Sequence, residues 1–353
     1  MHAFIFGLFI NNVLWRIFCG FFLGFIEQFI SLHYQTRIVF VRKRPCVPLL
    51  HCRRGGVLWI YLIMSLNIIV LAKQVPDTRN AGTQAMNADG TINRAALPAV
   101  FNPDDLAALE QALRIKECVD GSRVTVLTMG PARASELLRE ALYRGADDAV
   151  LLSDRAFAGA DTLATSYALA AAVRKIGSYD IILCGRQAID GDTAQVGPQV
   201  AQQLALPQLT CVKEVESIEE GTVVAVRAIE NGTEVVKAPL PLLLTVDGSH
   251  SSCRPRNVYR MLRFHRAATP QEQAAEGFRY TAQVAADEAL TIKEWNLEYI
   301  GGDASQCGLA GSPTKVKAVE SISFKAKESK KYTDDAEQIK SLVAELLDNH
   351  TIG

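Results

Sequence analysis

The stretch from Gly185 to Gln199, GRQAIDGDTAQVGPQ, packs two acids, a threonine and several glutamines into a glycine-punctuated turn between an apolar run, Asp180–Cys184, and a helix-like segment. If a helix starts here, Thr193 offers a hydroxyl and backbone N–H groups to a phosphate, and Gln195 reaches the same group. Asp190 and Asp192 would repel a phosphate they pointed at, so helix capping or a hydrogen bond to ribose hydroxyls suits them better. A ligand-free reading stands beside this one, with Asp192 as a plain N-cap and the glycines as turn formers. Asn102-Pro103-Asp104-Asp105 carries the same ambiguity. Asn is a good N-cap, Pro fits the first helical position, and two acids complement the positive end of the helix dipole, all without a ligand. Met129, at a strand end, is by default a core residue.

Other chemistries are missing. The chain has no G-x-G-x-x-G after a strand and no G-x-x-x-x-G-K-[ST]. From Met64 onward its histidines are His250, His265 and His350, all in the second half, so neither a Ser-His-Asp nor a Cys-His arrangement emerges. A self-contained hydrolase or dehydrogenase is not supported. The eight cysteines are scattered with no C-x-x-C pair, which suits a reducing cytoplasm and offers neither an iron–sulfur nor a zinc framework. Cys46, His51 and Cys52 form a local cluster by chance, and no metal is expected. A net charge of −1 gives no electrostatic case for nucleic acid.

The elements that must position these residues read as an α/β alternation. Strands are expected over Leu66–Val75, Arg123–Met129, Ala149–Leu152 and Asp180–Cys184. Helices are expected from Asn102, from Gly130 to about Arg144, over Asp161–Ile176 and over Gln195–Leu204. Such alternation predicts a doubly wound, mostly parallel sheet with ligands at the carboxyl ends of its strands. Asn87-Ala-Asp-Gly90 reads as a hairpin turn. After Pro207 come short strands, Val212–Ser217, Val223–Ile229, Glu234–Lys237 and Leu242–Val246, with a hairpin signal at Asn231-Gly232; these predict an antiparallel annex. A basic stretch, a polar tail and a short amphipathic helix, Asp334–Leu347, close the chain. The division expected is an extension over 1–63, a nucleotide-binding domain over 64–262, and an extended C-terminal arm over 263–353 that packs on a partner.

Residues 1–63 differ in composition. They hold 13 of the 26 aromatics and seven Lys/Arg against one acid, Glu27. The apolar run Ile17–Ile26 is short of the ~20 residues a spanning helix needs, and a targeting peptide lacks its cleavage site. MSLNIIVLAK at Met64 looks like a natural start, so the extension is expected not to be native, with a membrane anchor as the second reading.

KQVPDT (Lys73–Thr78), NPDDLAALEQALRIKE (Asn102–Glu117), LREALYRGADDAVLL (Leu138–Leu152) and GRQAIDGDTAQVGPQVAQQLALPQ (Gly185–Gln208) occur in an order and spacing that resemble the β subunit of electron-transfer flavoproteins. The resemblance covers Met64 to Val246, more loosely the tail. It implies an adenine-nucleotide-binding α/β fold and a heterodimer with an α subunit that carries the redox-active FAD. The implied pocket holds AMP in conventional members and FAD in electron-bifurcating ones. By motif it would be lined by Leu71, Lys73, Asn102, Pro103, Asp104, Asp105, Met129, Gly185, Arg186, Gln187, Ala188, Ile189, Asp190, Gly191, Asp192, Thr193, Ala194, Gln195 and Val196, the last four cradling phosphate. Val196 departs from a Thr found in many conventional members. KQVPDT, NPDD and CGLAGSPTKV (Cys307–Val316) resemble the bifurcating branch. That branch implies FAD in this pocket, NADH as hydride donor, and ferredoxin or flavodoxin as a low-potential acceptor. Conventional members carry a recognition loop of the type N-E-P-R-Y…L-P-N-I-M-K-A-K; here the equivalent is GSHSSCRPRNVYRMLRFHR (Gly248–Arg266), so the dehydrogenase partner need not be a standard acyl-CoA dehydrogenase. A stress or signalling module of the same fold and a stand-alone flavoenzyme are the rival classes.

Overall fold

The structure, a computed structural model, describes residues 65–77, 98–219, 221–249, 252–314 and 330–349. The extension with its rival readings, the Asn87–Gly90 turn and residues 315–329 of the tail lie outside them.

The first strand, β1 (Asn67–Leu71), is apolar and buried at every position after its first, the pattern of a strand covered on both faces. A short ribbon pairs β2 (Gln74–Pro76) with β3 (Ala99–Phe101). Helix α1 (Pro103–Cys118) follows with Pro at its first position and Asp104 and Asp105 in its first turn. The alternation continues through β4 (Arg123–Met129), α2 (Ser135–Arg144), β5 (Asp148–Leu152), α3 (Thr162–Ile176), β6 (Ile181–Gly185) and α4 (Val196–Gln203). Asp161 caps α3, accepting from Leu163 N and Ala164 N.

Next come β7 (Gln208–Glu219), β8 (Thr222–Ile229), β9 (Gly232–Pro239) and β10 (Leu242–Val246). Among the described residues nine strands form one sheet in the order β11-β5-β4-β1-β6-β10-β7-β8-β9, where β11 is Lys293–Trp295. Pairings from β11 to β7 are parallel, and β7, β8 and β9 are antiparallel. The chain runs outward from β1 through β4 to β5, then returns to β6 on the other side of β1. That reversal opens a crevice at the carboxyl ends of β1 and β6.

Successive residues of β1 serve opposite faces, as the two-residue strand period requires. Ile68 and Val70 join Leu109, Leu113, Leu138 and Leu142 of α1 and α2. Ile69 and Leu71 join Leu169, Val173 and Val200 of α3 and α4. Burying each such side chain contributes about 1.5–3 kcal/mol.

The run Leu66–Val75, expected as one strand, is two, β1 and β2, in separate sheets, and the helix expected from Gly130 starts at Ser135. Leu242–Val246 does not belong to the annex: β10 lies between β6 and β7, parallel to both, with all five residues buried. Its burial at every position is a central-strand pattern, unlike the alternation in β8. Among the described residues one compact unit holds 65–76 with 99–314, and a second holds 77, 98 and 330–349. Within the first, α5 (Val258–Phe264), α6 (Pro270–Gln273) and α7 (Thr281–Ala286) precede β11. Glu272 at the start of α6 takes Arg139 of α2 at 2.9 Å and the Ser135 hydroxyl at 2.6 Å, and Ala268, Leu290 and Ile292 are buried. The second unit contains α8 (Ala336–Asp348), whose Glu345 accepts from Lys330 and from the Tyr332 hydroxyl.

Candidate functional site

The crevice is bounded by the ends of β1 and β6, the first turn of α1 and the loop from Arg186 to Gln195. What joins them is a buried carboxylate. Asp105 Oδ2 accepts from Lys73 N at 2.8 Å and Oδ1 accepts from Gly185 N at 2.8 Å, so one side chain ties the loop after β1 to the end of β6. Burial pushes its carboxyl up to about 7, against the pull of those two N–H donors. Asp104 beside it is also raised, first by burial, with Arg186 3.9 Å away acting in the opposite direction.

Gly185 is required by this approach. A Cβ there would stand 2.6 Å from Asp104 Cβ and 2.6 Å from Asp105 Oδ1. Asn102 resolves its ambiguity: its side chain does not cap α1. Nδ2 donates to Gln187 O at 2.8 Å and Oδ1 accepts from Ile189 N at 3.2 Å, pinning the loop to the helix start. Lys73 Nζ reaches both carboxylate oxygens of Asp190 at 2.8 Å across the mouth.

The structure thus brings Lys73, Asn102, Pro103, Asp104, Asp105 and the Gly185–Gln195 loop together at the crevice. Leu71 closes β1 beneath them, 4 % exposed, and Met129 ends the neighbouring β4. Three local expectations change. Asp190 pairs with Lys73, and Asp192 accepts from Gln187 Nε2 at 3.0 Å, so neither caps a helix. Thr193 is an exposed loop residue, because α4 begins only at Val196. Gln195 occupies the N-cap position, yet its Oε1 accepts from the Thr162 hydroxyl at 2.9 Å. No side chain caps α4, which leaves first-turn N–H groups directed at the crevice end of the helix. Asp192 and Ala194 hold φ of 49° and 52°, a left-handed conformation costing about 1–3 kcal/mol each. Fixing the loop from Asn102 and Lys73 sustains that strain.

The sequence reading missed residues from the second face. Thr162 at the start of α3 meets Gln195 and accepts from Gln199 Nε2 at 3.4 Å. Gln199 Oε1 is buried without a partner. Gly197 admits Cys184 and Thr245: an added Cβ would stand 2.7 Å from the sulfur and 2.9 Å from Thr245 Cγ2. The N-cap signature of Asp161 was the signal for α3, but only packing of α3 on α4 brings Thr162 to the loop.

Comparison with known proteins agrees with this geometry. A profile of the Electron transfer flavoprotein domain family matches residues 89–277. The chain is 42 % identical over 287 residues, 81 % of its length, to the whole of an electron transfer flavoprotein subunit beta from Thermoanaerobacterium thermosaccharolyticum. It is 44 % identical over 251 residues, 71 % of this chain and 86 % of the relative, to the caffeyl-CoA reductase-Etf complex subunit CarD of Acetobacterium woodii. It is 50 % identical over 183 residues, 51 % of this chain and 67 % of the relative, to the acryloyl-CoA reductase electron transfer subunit gamma of Anaerotignum propionicum. With the doubly wound sheet and its crevice, these matches establish that the chain belongs to the electron transfer flavoprotein family, as a β subunit that pairs with an α subunit.

Proposed function

We propose that the crevice holds FAD and that the chain works with its α subunit to move electrons from NADH toward the α-subunit FAD and a low-potential acceptor such as ferredoxin or flavodoxin. When bound, FAD would supply hydride acceptance and its conversion to single-electron transfers. The observation that carries the reading is the Gly185–Gln195 loop, held in a strained form in front of an uncapped helix. The residues fit a phosphate-bearing nucleotide. The N–H groups at the start of α4 are anion donors, Thr193 and Gln195 stand at that entry, and the buried Gln199 Oε1, an acceptor without a donor, suits a hydroxyl or amino group of the nucleotide and not its phosphate. Lys73 and Asp190 would orient and retain the ligand, while Asp105 fixes the spacing of the two loops.

The names of two relatives support the wider setting, since each joins an electron-transferring chain to a CoA-ester reductase. The partner contact on this chain would be α5, whose Val258, Tyr259 and Leu262 are 66 %, 84 % and 63 % exposed beside Arg256 and Arg263. This face suits a dehydrogenase with an apolar, acid-rimmed surface. A cytoplasmic location accords with Cys184, Cys211, Cys253 and Cys307 being free thiols. No helix among the described residues is long and apolar enough to cross a membrane.

The test is the nucleotide released per αβ pair. Two FAD are expected; one FAD and one AMP would instead assign this pocket a structural nucleotide. Thr193→Ala with Gln195→Ala should weaken occupancy of this pocket alone by tenfold or more, since hydrogen bonds to charged groups contribute about 1.5–3 kcal/mol each. Unchanged occupancy would move the phosphate to another loop.

A further inference from the structure

At the other end of the sheet from the crevice, the amino ends of β1, β4, β5 and β11 border a cavity of about 350 Å³. Strand register builds it. Asn67 lies beside Arg123, Thr125 beside Asp148, and Val150 beside Lys293. By the two-residue period these side chains share the face of Ile69, Leu127 and Val150, which pack under α3. Helix α3 covers the apolar part of that face but stops at Ile176, and the chain turns away through Gly177 at φ 98°. The polar first residues of the strands are left bordering an open space.

Its charges do not balance. Arg123, Lys175 and Lys293 line it with one carboxylate, Asp148. Asp148 holds Arg123 at 2.8 Å and Lys293 at 3.8 Å, which fixes two cations against the same wall. Lys175 Nζ stands 4.4 Å from the ring centre of Tyr299, which packs against Trp295 at 5.3 Å. The wall thus carries an excess of two positive charges over an apolar floor of Val150 and Ile69. Charges of one sign gathered in a concave site focus their field on an incoming anion. The volume is at the small end of ligand pockets, suited to a compact metabolite and too small for a dinucleotide.

We propose that this cavity is a second binding site, for a small organic dianion, either a phosphate monoester or a dicarboxylate, held by Arg123, Lys293 and Lys175. None of these residues belongs to the crevice, so the site is independent of the nucleotide reading. The experiment uses the αβ complex with its resident nucleotides. Inorganic phosphate, succinate and acetate are titrated at equal ionic strength, followed by calorimetry and by the fluorescence of Trp295. The expected result is saturable binding of one dianion per chain, at least tenfold tighter than acetate. Arg123→Gln with Lys293→Gln, and separately Lys175→Gln, should each weaken it tenfold or more with nucleotide content unchanged. Preference for phosphate identifies a phosphate ester, preference for succinate a dicarboxylate. Non-saturable binding, equal affinity for acetate, or unchanged affinity in the variants would overturn the proposal. Should the double variant not fold, Lys175→Gln decides alone, because its cation rests on Tyr299 and not on Asp148.

Discussion

At the scale of single residues, Asp105 is the side chain on which the crevice depends. Its carboxyl is raised from 3.8 to about 7 by burial. Between those two values the folded chain binds a proton that the unfolded chain has released. Stability contributed by the protonated form is therefore complete below about pH 4 and declines as pH rises to about 7. Asp105→Asn should flatten that decline, measured as the denaturation midpoint of the complex from pH 4 to 8. Asn also turns an NH₂ toward one of two N–H groups that need an acceptor, a mismatch costing about 1–3 kcal/mol. The variant should consequently lose bound nucleotide even where it folds. A midpoint that keeps the same pH slope would show that another group titrates. Lys73 is the contrasting case. Its ion pair with Asp190 is half exposed, so Lys73→Met should change stability by no more than ~1 kcal/mol. Nucleotide release should nevertheless quicken several-fold in stopped-flow displacement, because the contact across the mouth is gone.

At the scale of elements, the site is a junction of two helix starts on opposite faces of one sheet. α1 reaches β6 through Gly185, and α4 reaches β6 and β10 through Gly197. Both approaches are closer than any side chain would allow. Gly197→Ala should push α4 away from Cys184 and Thr245, with a loss of about 1–3 kcal/mol, the usual range for overpacking. The same shift would misplace the helix start, so nucleotide occupancy should fall with stability; full occupancy in a destabilised variant would mean that α4 does not bind. Helix α5 carries the proposed contact with a redox partner. Phe264 is buried while Val258, Tyr259 and Leu262 face outward. Tyr259→Ala with Leu262→Ala should slow electron delivery to the dehydrogenase at least tenfold, with flavin content and heterodimer intact.

At the scale of the whole molecule, the chain functions as one half of a pair. In α8, Ile339, Val343 and Leu347 recur at four-residue spacing and are 47 %, 43 % and 50 % exposed. An isolated helix of this length with an open apolar stripe is marginal in water. The α subunit is the partner expected to cover it. Ile339→Ser with Val343→Ser should weaken αβ association tenfold or more by analytical ultracentrifugation, without changing the nucleotide content of the chain. Equal association would assign the stripe to another surface.

The sequence by itself determined the alternation of strands and helices, the parallel sheet and the loop segments of the crevice, because these rest on local signals. Asn102-Pro103 announces a helix start, and NIIVL announces a strand buried on both faces. Gly185–Gln208 is long and particular enough to identify the family. Only the tertiary structure decided what each polar side chain does. Asn102 could cap α1 or hold the loop, and the choice rests on Gln187 and Ile189, far away in sequence. Asp105 reads as one more acid in a helix's first turn until the loop after β1 and the end of β6 supply its two donors. The composition of Leu242–Val246 leaves its place in the sheet open, and its central, parallel position depends on pairing with β6 and β7. Thr162 and Gln199 meet only because α3 packs on α4. Strand register gathers Arg123, Asp148 and Lys293 into one wall, although no motif links them. Local patterns specify elements because short-range sterics and burial periods act within a few residues. Partners depend on which elements the sheet order makes neighbours, and that order is a property of the whole fold.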